Sequence, residues 1–479
     1  MLNVFGDSLD NTIEVSRNAA GGIFVNGGAV SVVGGAPTVA NTALVQVFGM
    51  SGDDTITLNE ANGALPRANL FGGAGTDTMV GGSGADMVFG QSGGDTLLGK
   101  GGADLLFGGS ASDTATGGDA DDQVFGQSDD DQMVWNFGDD TDLNEGGAGV
   151  DTVEVNGGNG LEVFTTTANG VRVRFDRLDP SPFSLDIGTS EKLFVNANGG
   201  NDSFSATGNL AALIQITVDG GAGEDTLLGS NGADLLLGGE GDDFIDGQQG
   251  VDVALMGAGN DTFQWDPGDG NDTIEGQGDA DTLVFNGSAI GEIFEFSANG
   301  SRVRFTRNIA NIVLDLDDVE QFDLRMLGGA DVAVVNDLSA TDVSAINFLL
   351  SGVFGGSTGD AQADSIVVNG TAAAENVFVS SNANGVQVTG LKAVLNIITA
   401  EPSLDRLTVN LLGGDDALDA TALAAAGIAL TADGGDNDDV IFGGAGADTL
   451  HGGFGDDVLI GNGGVDILDG GDGDDVEMQ

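Results

Sequence analysis

GGAGTDTMVGGSGADMVFGQSGGDTLLGK, residues 72–100, is the stretch whose reading decides the fold. A glycine-rich hexad ending in aspartate precedes a small apolar triplet, and the unit recurs every nine residues. Seven consecutive nonapeptides fill residues 72–134, with Asp77, Asp86, Asp95, Asp104, Asp113, Asp122 and Asp131 at the sixth position. A second tract, 220–264, carries Asp225, Asp234, Asp243, Asp252 and Asp261 there; a third, 434–478, carries Asp439, Asp448, Asp457, Asp466 and Asp475. Seventeen aspartates in phase exclude coincidence.

The spacing has a physical reading. Glycines at positions one, two and four permit positive φ and a tight turn whose carbonyl oxygens converge inward. Aspartate at position six adds a charged oxygen at the end of that turn. The triplet then forms a very short strand whose middle residue points inside: Val88, Leu97 and Leu106 in the first tract, Leu236 and Ile245 in the second. Two nonapeptides make one flattened coil with a turn on each side, and coils stack in parallel at about 4.8 Å. Turns two repeats apart lie one above the other across an oxygen-lined gap. Such gaps suit Ca²⁺, with its irregular all-oxygen coordination, better than Mg²⁺.

Composition agrees. Glycine supplies 84 of 479 residues and proline only 6, without the every-third-residue period of collagen. The formal charge is −63, from 76 acidic and 13 basic side chains, yet 40% of residues are hydrophobic and periodically placed, unlike a disordered chain. Bare stacked aspartates would repel one another, so cations are expected to neutralise them. Nucleic acid is excluded as a partner by the same charge. There is no cysteine and a single histidine, His451, so thiolate and imidazole metal sites are out. His451 falls at repeat position nine and is read as exposed. No apolar run is long enough to span a membrane, and MLNVFGDSLDN has neither the basic nor the apolar region of a signal peptide.

The repeat resembles the RTX, or haemolysin-type, calcium-binding nonapeptide G-G-x-G-x-D-x-U-x, where U is a large apolar residue. That resemblance implies a right-handed parallel β-roll that folds only with Ca²⁺ bound, in proteins exported from bacteria. It makes the seventeen sixth-position aspartates the expected metal ligands. Position four departs to Ala111, Ala120 and Asp129, where a Cβ must tolerate the turn and weaker sites are expected. Glu477 stands at an inward position of the last repeat, so that coil is expected to fray.

Longer repeats fill the rest. WNFGDDTDLNEGGAGVDTVEVNGG from Trp135 returns as WDPGDGNDTIEGQGDADTLVFNGS from Trp265, and ANGVRVRFDR returns as ANGSRVRFTR. A third version begins at Ser365 and a fourth at the N-terminus. Alternating apolar residues and Asn-Gly or Gly-Gly turns predict strands with hairpins. Each spacer also has a lone loop carrying Asp54, Asp202, Asp331 or Asp416, which caps a turn or binds one further ion. A short helical turn is expected after it, in GNLAALI and TALAAAG. Arg172, Arg174, Arg302 and Arg304 alternate on one strand face and are expected to be solvated or paired with carboxylates; Trp135 and Trp265 are read as core plugs.

The expected architecture is all-β, a parallel β-roll or β-solenoid in which calcium tracts (72–154, 220–284 and 434–479) alternate with β spacers (1–71, 155–219, 285–367 with a degenerate tract, and 368–433). The expected function is a non-enzymatic, calcium-stabilised structural protein, secreted to a cell surface or matrix, holding roughly a dozen Ca²⁺ ions. The alternative is the calcium-dependent folding and export region of a larger secreted enzyme, toxin or adhesin. A polysaccharide-active β-helix has only abundant Asp and Arg in its favour. Neither end reads as capped: LNVFG opens as an apolar strand and GGDGDDVEM closes on a repeat, which predicts a head-to-tail homopolymer.

Overall fold

A computed structural model describes residues 1–479. It contains 46 strands, two 3₁₀ turns and no α-helix. The chain divides into two units, Met1–Leu237 and Gly238–Gln479, each built as a parallel β-roll.

The nine-residue period produces the coil directly. In the first unit, Met87–Ser92, Leu105–Ser110 and Gln123–Ser128 pair in parallel on one side of the roll. Thr96–Gly101 and Thr114–Asp119 pair in parallel on the other. Each partner is 18 residues on, two nonapeptides per coil, as in Leu97↔Ala115 and Val88↔Leu106. Val88, Leu97, Leu106, Leu236 and Ile245 are all buried. The second unit repeats the scheme, with Thr449–Phe454 on Ile467–Asp472 and Val440–Phe442 on Val458–Ile460. Outward positions stack as well. Phe5, Phe48, Phe71, Phe89, Phe107 and Phe125 form a continuous ladder with ring centroids 4.8–5.0 Å apart.

The spacers interrupt this winding with antiparallel meanders. Val163–Asn169, Arg172–Asp179 and Phe183–Gly188 run antiparallel in succession, their outer strands rejoining the parallel sheet on Ser203–Thr207 and Asp142–Ala148. The second unit has two such meanders: Ile293–Asn299, Arg302–Arg307 and Ile312–Asp317, then Asn376–Asn382, Gly385–Thr389 and Val394–Ile398. Near the N-terminus a shorter hairpin pairs Thr12–Arg17 with Ile23–Val25. Tight turns reverse the chain, Gly170 and Gly300 adopting φ of 70° and 71° at two of them. The helical turn expected after the lone loops is smaller than a helix. Ile214 N–H closes one turn on the Leu210 carbonyl, and Leu423 and Gly427 close three-residue turns.

The tryptophans fill the core beside the meanders. Trp135 and Trp265 are buried, and their indole N–H groups donate to the carbonyls of Asp140 and Gly270. Arg172 is paired with Glu145 and Asp186, and Arg302 with Glu275, Asp315 and Asp317. Arg174 pairs with Asp176. His451 is partly exposed, 3.8 Å from Asp469. Glu477 is exposed beside Leu459, its register partner, so the last coil leaves an inward position without an apolar side chain.

Candidate metal centre

The sixth-position aspartates are brought together as buried columns. Asp77, Asp86, Asp95, Asp104, Asp113, Asp122 and Asp131 are each at most 3% exposed. Asp225, Asp234, Asp243, Asp252, Asp261, Asp439, Asp448, Asp457 and Asp466 are buried too, and Asp475 partly so.

One carboxylate oxygen is structural. The backbone N–H of Asp77 donates to Asp95 Oδ1, that of Asp95 to Asp113, and that of Asp113 to Asp131, at 2.7–2.8 Å. The opposite column repeats the link through Asp86, Asp104 and Asp122, at 2.7 Å. In the second unit Asp439 N–H donates to Asp457, and Asp457 N–H to Asp475, at 2.8 and 3.0 Å. Each aspartate thus staples its turn to the coil before it, and satisfies an N–H that burial would otherwise strand.

The second oxygen of Asp86, Asp234 and Asp448 accepts a further backbone N–H, from Gly82, Ser230 and Gly444, but in others it does not. Oδ2 of Asp77, Asp95, Asp104, Asp113, Asp122 and Asp131 is buried without a hydrogen-bond donor, as is that of Asp261, Asp439 and Asp457. Its neighbours are oxygens. A Cβ added to Gly90 would lie closer than 3.0 Å to both Asp95 Oδ2 and the Gly108 carbonyl oxygen. The same two overlaps, own Oδ2 and the carbonyl one coil on, meet a Cβ at Gly72, Gly99, Gly108 and Gly126. Position-one glycine is therefore needed for close approach. The positive φ expected there is found instead at positions two and four, as in Gly73 (119°), Gly75 (134°), Gly109 (133°) and Gly118 (102°). Non-glycine residues take the same strain at Ala111, Ala120 and Asp129, and at Gln91, Lys100 and Gln127 of position two.

Electrostatics mark these carboxylates as out of balance. Burial pushes Asp95 and Asp131 up to about 6, Asp113 and Asp122 to about 7, and Asp104 to about 8; backbone N–H donors only partly offset it. An anionic oxygen facing carbonyl oxygens in a turn too tight for a methyl group is a donor set for a hard cation. The residues present fit Ca²⁺.

The columns extend beyond the regular tracts. All four lone-loop aspartates, Asp54, Asp202, Asp331 and Asp416, are buried with Oδ2 lacking a donor, as in the tracts. Asp54 N–H donates to Asp77 Oδ1, and Asp416 N–H to Asp439 Oδ1, so these loops join the columns. Asp142, Asp151, Asp272 and Asp281 also continue them and escape a nine-residue count, because the step to each is 20 residues rather than 18. The hexad GGAGVD ending at Asp151 was the available signal. Asp364 and Asp405 follow Asp331 at still longer steps, with no hexad to reveal them.

Where the spacers begin, glutamate replaces aspartate. Glu162, Glu292 and Glu375 occupy the column, their N–H groups donating to Asp202, Asp331 and Asp416. Two of them meet an internal cation. Arg177 lies 2.8 Å from Glu162, both buried, and Arg307 pairs with Glu292 in the same way. Each guanidinium also stands over an indole, 5.1 Å from the Trp135 ring and 5.3 Å from that of Trp265.

No curated protein matches the chain. The family model for the RTX calcium-binding nonapeptide repeat matches residues 71–142, 219–263, 268–287 and 431–477 in overlapping segments. Those segments contain all seventeen tract aspartates. The chain therefore carries RTX calcium-binding nonapeptide repeats, wound into a parallel β-roll.

Proposed function

We propose that this chain is a calcium-folded structural protein of the extracellular space, and that the seventeen tract aspartates, with Asp54, Asp202, Asp331 and Asp416, hold its ions through carboxylate oxygens. The observation that carries the reading is the column of buried carboxylates, as at Asp95, with one oxygen stapled to the preceding coil and the other lacking a donor beside a carbonyl oxygen of the next coil. Bound Ca²⁺ supplies the positive charge that lets these turns stack. The protein supplies the oxygens, the glycines that let them approach, and the apolar interior that keeps the strands in register. An extracellular setting agrees with a demand for Ca²⁺ that cytosolic levels would not meet. Roughly a dozen ions are expected, one per gap between stacked turns.

The head-to-tail assembly belongs to the same proposal. Phe5 and Met478, in the first and last strands, are exposed apolar residues, suited to coverage by another copy or by further polypeptide. Equilibrium dialysis against Ca²⁺, followed by sedimentation, tests both parts. Roughly a dozen bound ions, with particles that grow with protein concentration only in Ca²⁺, are expected. One or two ions would refute the aspartate assignment, and a constant monomer would refute the assembly.

A further inference from the structure

Three of the four spacers place a glutamate in the column, and the last of these lacks the rest of the arrangement found in the other two. In the first two, a column glutamate (Glu162, Glu292) meets a meander arginine (Arg177, Arg307) under a tryptophan (Trp135, Trp265). Strand register fixes the third set of positions. Trp135 pairs with Val155 and Trp265 with Phe285; the corresponding pair is Val335 with Val368. Arg177 pairs with Phe183 and Arg307 with Ile312 across the meander. Continuing the register of Val388 on Leu395 puts Gly390 opposite Ala393 at those places. Tryptophan has become valine, arginine glycine, and the residue across from it alanine. Only the glutamate, Glu375, is kept.

The missing side chains leave a cavity of about 240 Å³, lined by Val335, Val368, Glu375, Gly390, Lys392 and Ala393 among others. Glu375 Oε1 accepts from the backbone N–H and the hydroxyl of Thr371, and Oε2, also buried, accepts nothing. No ion pair neutralises this carboxylate, whereas its two counterparts each have a guanidinium.

We propose that this cavity binds a guanidinium group on an aliphatic stem, supplied from outside the fold, with Glu375 as its counter-ion. The same chain shows twice that a carboxylate at this column position is matched by a guanidinium packed on apolar side chains. The lining favours that occupant over Ca²⁺. Valine, leucine and alanine side chains cannot replace a hydration shell, but they do bury a methylene stem. A guanidinium N–H also suits a carboxylate that no cation neutralises. The site shares Glu375 with the column, through its N–H on Asp416, but no calcium aspartate lines the cavity, so its failure would leave the calcium reading intact.

Butylguanidinium titrated calorimetrically into the full chain, in excess Ca²⁺, tests the assignment. Saturable binding of one molecule per chain is expected, at least tenfold weaker in Glu375→Gln and abolished in Val335→Trp, which rebuilds the plug of the other spacers. Val335→Trp also guards against a folding artefact, because it should leave the β-spectrum intact. Butylammonium should bind more weakly. No binding to the wild type, or binding unchanged in both variants, would overturn the proposal. So would binding that appears only in Lys392→Ala, which would show that the rim lysine already neutralises Glu375, or displacement by added Ca²⁺.

Discussion

Replacing Asp95 by Asn separates the two jobs of a column aspartate. The amide keeps an Oδ1 that can accept from Asp77 N–H, now 2.8 Å away, and it fits the space under Gly90. What changes is the charge. Without calcium that charge is a burden: burial pushes Asp95 up to about 6, so ionising it at pH 8 costs about 1–2 kcal/mol after allowance for solvent screening. With calcium the charge is an asset, since an ion held at a hundred times its Kd stabilises the fold by about 2.7 kcal/mol. Asp95→Asn should therefore have opposite effects in the two conditions. Hydrogen exchange of peptides from 72–134, followed across a calcium titration, should show wild-type and variant protection curves that cross. The variant is more protected in chelator, and less protected, by about 2–3 kcal/mol, at millimolar Ca²⁺. A variant less protected at every calcium level would mean that the charge strengthens the staple itself, and an unchanged one that Asp95 is only a staple. One more protected at every level would mean that its charge serves no ion.

Acid should partly substitute for calcium. Asp104, Asp113 and Asp122 sit at about 8, 7 and 7, raised by burial, so the folded coils bind protons that the unfolded chain releases near 4. Apo stability is thus fully present below the unfolded value and falls as pH rises toward 8; in chelator, far-UV circular dichroism should show more β-structure at pH 5.5 than at pH 8. Gly90→Ala should cost about 1–3 kcal/mol in overpacking and weaken calcium binding there, while Gly160→Ala, with nothing within 4 Å of its new Cβ, should be neutral by thermal melting. Arg177→Met strands the buried Glu162 carboxylate and should cost about 3–5 kcal/mol in urea titrations, most of it recovered when Glu162→Gln is added.

The columns were legible because a single residue type recurs in phase, and the core because Val88, Leu97 and Leu106 must alternate with the turns. The spacers were legible only as strands and turns. Which strand rejoins which coil depends on pairings such as Asp142–Ala148 with Phe183–Gly188, about 40 residues apart, and no short-range pattern encodes them. Asp142 and Asp272 were hidden because Trp135 and Trp265, with the turns after them, stretch one coil by two residues and break the count. The pairing of the column glutamates with Arg177 and Arg307 was hidden for another reason. Alternating arginines on a strand look alike in sequence, yet Arg172 reaches the partly exposed Glu145 while Arg177 turns into the core.

The central claim is that calcium, acting on buried aspartate columns, is what allows this chain to wind. Far-UV circular dichroism of the full chain in chelator at pH 8, followed by stepwise addition of Ca²⁺, tests it most directly. A spectrum of a largely disordered chain should turn cooperatively to β-structure at micromolar to millimolar Ca²⁺, and equal Mg²⁺ should fail to produce the change. A full β-spectrum in chelator, unchanged by Ca²⁺, would contradict the account.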